Sequence, residues 1–256
     1  MVKEDLLKFR LDDILKDIEY VFHLAALPGV RQSWGRYFNN YLENNVLLTN
    51  NLLDQVKNFK IKKFVFASSS SVYGDQEVFP IPESAPKNPM SPYGVTKLAA
   101  ENICNAFFEA YGIPIIRLRY FTVYGPRQRP DMAFHLFMRK ILDNKPIKVF
   151  GDGNQKRDFT YVKDIVNATI ASAFHPGGNE CFNVGSHRTT SVNDIFTIMK
   201  KICNKDKIKI EYVEKQKGDV LHTYSDINKA VKLINYSPSV SLEEGLELQC
   251  NWMKSL

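Results

Sequence analysis

The chain has 256 residues, enough for one large core or two lobes, and its 44% apolar and 24% charged residues read as an ordinary globular protein. No apolar run approaches the roughly 20 residues that a membrane-spanning helix needs. Net charge is +6, yet Lys and Arg are scattered and no basic block is interleaved with aromatics, so nucleic acid is not an expected partner. The basic balance suits a small anionic substrate instead.

The N-terminal stretch MVKEDLLKFRLDD is charged and has no apolar segment of the secretory kind, which points to a cytoplasmic protein. Residues 20–24 (YVFHL) predict a buried strand, and 38–58 a helix with Leu42, Val46, Leu47, Leu53 and Val56 as its apolar stripe. Residues 64–67 predict a second strand. Ser91 can cap and Pro92 can open a helix that runs to about Tyr111 and stops at Gly112. Residues 115–119 predict a third strand. Further on, the pattern predicts helices over 133–142 and 162–174, strands over 147–150 and 181–184, and helices near 192–202, 227–234 and 242–252. Cys104, Cys181, Cys203 and Cys250 are irregularly spaced, and neither they nor the five histidines have metal-ligand spacing, so no metal is expected.

Alternating strands and helices predict an α/β fold with a parallel sheet and crossover helices. Ligands in such sheets bind beyond the carboxyl ends of the strands, so the loops after Leu24, Ala67 and Arg119 should line one cleft. Residues 1–125 read as the nucleotide-binding part, with 160–185 returning to it; 126–159 and 186–256 read as a smaller lobe that covers the cleft.

Tyr93 and Lys97 lie four residues apart on one predicted helix and share a face. Tyrosine, with a pKa of about 10, is a poor base at neutral pH. A nearby ammonium should lower it, and such a pair can take a proton from a sugar hydroxyl. The alternative is a surface pair. The strand ending in Ser68-Ser69-Ser70-Ser71 offers hydroxyls that can relay this proton, or that merely cap a turn. Small residues after His23, in Leu24-Ala25-Ala26, would let a flat cofactor approach the backbone; tight packing is the other explanation.

VFHLAA, FASSSSVYG, SPYGVTKLAAE, RYFTVYGP and GDGNQKRDFTYVKDI, in this order, resemble the extended short-chain dehydrogenase/reductase family, and within it the sugar-nucleotide epimerases and dehydratases. The resemblance implies a Rossmann-like doubly wound sheet, NAD as cofactor, a UDP-sugar substrate and a homodimer formed through the helices at 38–58 and 91–111. By resemblance Tyr93 is the catalytic base, Lys97 holds the nicotinamide ribose, and Ser69 is the catalytic hydroxyl. Leu24, Ala25, Ala26, Asn44, Tyr120 and Phe121 would contact the cofactor, and Asp5 with Leu6 would receive its adenine end. Ser70, Ser71 and Thr122 would face the sugar, Arg157 would grip the diphosphate, and Asp219 would close over the nucleotide. Gln216 replaces an arginine that relatives often carry, leaving Lys215 or Lys217 for the second phosphate contact.

Two departures bear on activity. Dehydratases of this family place Asp-Glu after the catalytic hydroxyl; Ser70 and Ser71 stand here, which favours epimerisation at C4 over loss of water. The family also opens with a strand and a Gly-x-x-Gly-x-x-Gly turn, and this sequence carries no such motif. The expectation is that about two strands and their helices are missing, with weak NAD binding and low stability. An inactive remnant, or another dehydratase or reductase of the family, are the competing readings. The loop VYGPRQRPDMA resembles that of UDP-glucuronate 4-epimerases. Arg129, and after it Arg127, are candidates for a substrate carboxylate; an ion pair between Arg129 and Asp131 is the plain alternative.

Overall fold

The computed structural model describes residues 2–214, 218 and 220–256. Helix α1 (Asp12–Leu15) leads to strand β1 (Tyr20–His23). Helix α2 (Phe38–Tyr41) passes through a π-helical stretch (Leu42–Leu47) into α3 (Leu48–Val56). Strand β2 (Lys63–Ser69) is buried along its whole length. Helix α4 (Pro92–Tyr111) is set by local signals. Ser91 Oγ accepts from the Gly94 N–H at 3.1 Å, Pro92 needs no N–H at the first turn, and Gly112 ends the helix at a φ of 69°. Strands β3 (Ile115–Tyr120) and β4 (Thr122–Tyr124) follow. Then come α5 (Ala133–Leu142), β5 (Ile147–Phe150), β6 (Lys156–Arg157), β7 (Phe159–Tyr161), α6 (Val162–Ala173) and β8 (Asn179–Val184). Strand β9 (Thr190–Ser191), α7 (Val192–Ile202), β10 (Ile210–Val213), α8 (Asn228–Ile234) and α9 (Leu242–Lys254) complete the chain.

Strands β1, β2, β3 and β8 form one parallel sheet in that order. Period-2 alternation sends successive side chains to opposite faces, and both faces of β2 and β3 are covered, while edge strand β1 leaves Phe22 exposed. Val65, Ile116, Leu118, Phe182 and Val184 pack under α6 and α8. Phe64, Phe66 and Ile115 pack against α3 and α4 through Leu52, Leu53, Ala100 and Cys104. A second core joins Tyr124, Phe134, Met138, Ile147, Ile195 and Leu246. Ile227, Ala230 and Ile234, from the tail read as part of the smaller lobe, pack on the sheet instead.

The predicted stripe of the helix at 38–58 is only half right. Leu53 and Val56 are buried, but Leu42 and Leu47 are exposed. Tyr41, Asn45, Leu48, Thr49 and Leu52 face inward instead. The π-helical turn adds a residue to the ring and resets the phase of the helix, which a 3.6-residue period cannot foresee. The strands β4, β6, β7, β9 and β10, of two to four residues, were not expected; they are too short to show a period.

Candidate active site

Ser69 is the last residue of β2, and its Oγ accepts from the Ser71 N–H at 3.1 Å, capping a short turn. The first turn of α4 lies directly over this run. A Cβ on Gly94 would stand 2.5 Å from the Ser71 carbonyl oxygen, so glycine is what permits the approach. The result brings Ser69 to Tyr93, close enough for the serine hydroxyl to lower the phenol's pKa. One turn further on, Lys97 is buried. Its Nζ donates to the Ala67 carbonyl at 2.8 Å and lies 5.0 Å from the centre of the Phe66 ring. The three sequence candidates for catalysis therefore meet at the end of β2.

Electrostatics differ from the sequence expectation at Tyr93. Burial raises its phenol above the ordinary tyrosine value; the nearby Ser69 hydroxyl and the charge of Arg129 oppose that, and Lys97 does not contribute. Burial also pulls Lys97 down to about 8. His23, at the end of β1, is lowered to about 4 by burial and by the Lys97 charge, and its Nε2 is 3.0 Å from Thr49 Oγ1. It is therefore neutral at physiological pH.

A cavity of about 150 Å³ brings Ser70, Ser71, Thr122 and Arg157 together with Ser91 and Thr223. Arg157 is held by the carbonyls of Lys156 and Leu221, at 3.0 and 2.9 Å, and by that of Val220. Asp219, Gln216, Lys215 and Lys217 lie outside the described residues. Arg129 forks onto Asp131 at 2.9 and 3.0 Å, as the plain alternative held, and is close enough to Tyr93 to act on its proton. A cleft of about 830 Å³, lined by Trp34, Tyr37, Tyr41, Arg129 and Asp131 among others, opens beside it. Tyr41 meets the Tyr93 ring edge-on at 6.3 Å. Arg127 is exposed, with a φ of 65°.

Leu24 and Ala25 are exposed and Ala26 half-buried just beyond β1. Asn44 turns back to its own helix, donating to the Asn40 carbonyl at 2.9 Å. Its neighbour Asn45 turns inward and ties the loop after β1 to α4: buried, it accepts from the Leu27 N–H at 2.7 Å and donates to the Leu27 carbonyl and Thr96 Oγ1, both at 3.0 Å. Asp5 and Leu6 lie in an N-terminal turn, where the exposed Asp5 carboxylate accepts from the Leu7 N–H and pairs with Lys8. The Phe121 side chain is core, against Val72, Tyr73 and Ile81, and Tyr120 Oη shares a hydrogen bond with Thr169 at 2.7 Å.

Several buried charged residues escaped the sequence reading, among them Glu101, Arg119 and Asp158. Glu101 and Arg119 pair beneath the site, and Asp158 beside Arg157 accepts from the N–H and Oγ of both Ser186 and Ser225. The available signal was a charge inside an otherwise apolar strand (IIRLRY) or between buried neighbours (RDFTY).

Residues 2–185 match the NAD dependent epimerase/dehydratase family. The chain belongs to that family. It is 44% identical over 238 residues to a UDP-glucuronate 4-epimerase of Thermodesulfobacterium geofontis, covering 93% of this chain and 73% of the relative. It is 42% identical over all 256 residues to YtcB of Bacillus subtilis, named an uncharacterised UDP-glucose epimerase, and spans 80% of it. A crystal structure of the Bacillus cereus UDP-glucuronic acid 4-epimerase, in complex with UDP-glucuronic acid and NAD, superposes with a TM-score of 0.96 at 43% identity, over 99% of this chain and 81% of that one. As a family member the chain is an enzyme of the Rossmann-fold, NAD-dependent class.

Proposed function

We propose that the protein is a C4 epimerase of a UDP-sugar, with UDP-glucuronate the first candidate. The observation that carries this is the meeting of Ser69, Tyr93 and buried Lys97 where the first turn of α4 lies over the end of β2. NAD fits there on the nicotinamide side. Lys97 Nζ has three N–H bonds and one carbonyl acceptor, which leaves donors for ribose hydroxyls, and the small residues Ala25 and Ala26 clear the adjoining strand end. The sequence carries no Gly-x-x-Gly-x-x-Gly turn for the pyrophosphate. When bound, NAD supplies the redox change at the sugar's C4.

The chain's own work is proton handling and grip. Tyr93 Oη takes the proton of the 4-hydroxyl and gives it back, with Ser69 Oγ holding the same oxygen. Arg157, already oriented by three carbonyls, meets the diphosphate. Ser70 and Ser71 offer hydroxyls but no carboxylate, which favours epimerisation over elimination. Arg129 exchanges Asp131 for the uronate carboxylate, a swap of one bidentate partner for another. With NAD added, conversion of UDP-glucuronate to UDP-galacturonate followed by proton NMR tests the reading; no conversion while calorimetry shows NAD bound would overturn it. Arg129→Ala is expected to lower kcat/KM for UDP-glucuronate about 10- to 100-fold, the range of a lost charge-assisted pair, and to spare UDP-glucose. Equal losses on both sugars would remove the carboxylate role.

The same reading includes a homodimer in the cytoplasm. Support comes from exposed Leu42 and Leu47 on the π-helical turn and exposed Val95 on α4, on the two helices that the family resemblance assigns to a four-helix contact. No described helix is long and apolar enough to cross a membrane. Leu47→Glu should turn a dimer into a monomer in sedimentation velocity; a wild-type chain that sediments as a monomer at tens of micromolar rules the dimer out.

A further inference from the structure

Tyr93, Lys97 and Glu101 follow one another at four-residue spacing on one face of α4. The first two serve the proposed chemistry. The third is buried and makes three hydrogen bonds, all to the strands below. Glu101 Oε1 accepts from Ser68 Oγ at 2.5 Å and from Arg119 Nε at 2.9 Å, and Oε2 accepts from Arg119 Nη2 at 2.7 Å. Ser68 directly precedes Ser69, and Arg119 directly precedes Tyr120. Arg119 Nη1 also donates to Tyr73 Oη at 2.8 Å and to the Glu83 carbonyl at 3.0 Å, and Tyr73 Oη donates to Asn183 Oδ1 on β8 at 2.6 Å. One carboxylate thus ties the catalytic helix to β2 and β3 and, through Arg119 and Tyr73, to β8, each close to the end where the site opens.

Such an arrangement is costly as a source of stability. A buried ion pair is often matched by apolar residues of similar volume. What a bidentate guanidinium–carboxylate pair does give is a fixed angle and a fixed distance between the two elements that carry it. Packing of Ala100 and Cys104 on Phe64 and Phe66, with the Lys97 bond to the Ala67 carbonyl, holds α4 to the sheet. Apolar burial is not directional, whereas the two-pronged clamp fixes both height and angle.

We propose that Glu101 is a positioning residue for catalysis: its bonds to Ser68 and Arg119 set the height at which α4 presents Tyr93 to Ser69 and Lys97 to the end of β2. This rests on the proposed epimerase site. Glu101→Met combined with Arg119→Met removes the clamp while keeping volume and charge balance. The variant is expected to unfold cooperatively like the wild type and to lose about 10- to 100-fold in kcat, with KM for UDP-glucuronate within about threefold, as for a misplaced reacting group. A second reading needs no turnover. With 3-fluorotyrosine at position 93, fluorine NMR follows the phenol's titration, which Ser69, Arg129 and Tyr41 influence in the wild type. Loss of the Ser69 influence should move that titration to higher pH. Should the double variant fail to fold, Ser68→Ala keeps the ion pair and removes only its tie to β2; a 3- to 10-fold fall in kcat and a smaller shift of the same signal are expected. A folded variant with wild-type kcat and an unmoved Tyr93 titration overturns the proposal. A wild type inactive on UDP-glucuronate would count against the substrate reading, and the fluorine titration would still decide the role of Glu101.

Discussion

Tyr93→Phe is expected to cut turnover about 10²- to 10⁴-fold, the usual contribution of a positioned acid–base group, while leaving fold and substrate binding nearly intact. The substitution removes a single oxygen. The ring keeps its edge-on contact with Tyr41 and its half-buried place in the first turn of α4. What disappears is the oxygen that faces Ser69 and that the proposed mechanism uses to hold the 4-hydroxyl proton. Because burial holds the phenol above its ordinary value, wild-type turnover should climb with pH toward the phenol's ionisation, as more phenolate becomes available. The Phe variant should lack that climb. Thermal unfolding and calorimetric binding of UDP-glucuronate, compared between the two proteins, separate loss of chemistry from loss of structure. A Phe variant that keeps a third or more of the turnover would end the case for Tyr93 as the base.

The parts of this site that could be read in the sequence are those whose cause is local. Ser91, Pro92 and Gly112 mark both ends of α4 because a cap, a fixed φ and a left-handed residue act on their own neighbours. Tyr93 and Lys97 follow from helical spacing, and the serine run from its place at a strand end. The parts that could not be read depend on partners far along the chain. Asn45 turns inward because the Leu27 backbone needs a donor and an acceptor there, and the π-helical turn puts Asn45 rather than Asn44 in reach. Glu101 and Arg119 look like interruptions of apolar patterns until β3 is laid beside α4. Arg129 shows the limit from the other side: its sequence context suggests a substrate carboxylate, yet in the protein alone Asp131 fills its fork.

Lys97→Met is expected to disable the site and, below pH 8, to make the protein more stable. Lys97 is 4% exposed, with one carbonyl and the face of Phe66 as its compensation. Its pKa falls from 10.5 to about 8 on folding, chiefly by desolvation. Below pH 8 the lysine is charged in both folded and unfolded chains, and the fold carries the whole penalty. Between 8 and 10.5 the unfolded chain binds more protons, so stability rises with pH; above 10.5 the penalty is gone. At about 1.36 kcal/mol per pH unit between those two values, the penalty is on the order of 3 kcal/mol. Methionine has similar length and no charge to desolvate, so urea unfolding at pH 7 should place the Met variant above the wild type by up to that amount, with the gap closing by pH 10 or so. His23 supplies a second signature. Its folded value of about 4 lies below the ordinary 6.5, so acidification through that window destabilises the wild type, and the Lys97 charge widens the window. Without that charge His23 should titrate closer to 6.5, and the acid loss should shrink. A Met variant less stable than the wild type at pH 7, or one with an unchanged acid limb, would mean that the ammonium is structurally satisfied and not held at a cost for a ligand. The opposite outcome identifies what the fold gives up to keep a cation, with N–H bonds to spare, at the mouth of the sheet.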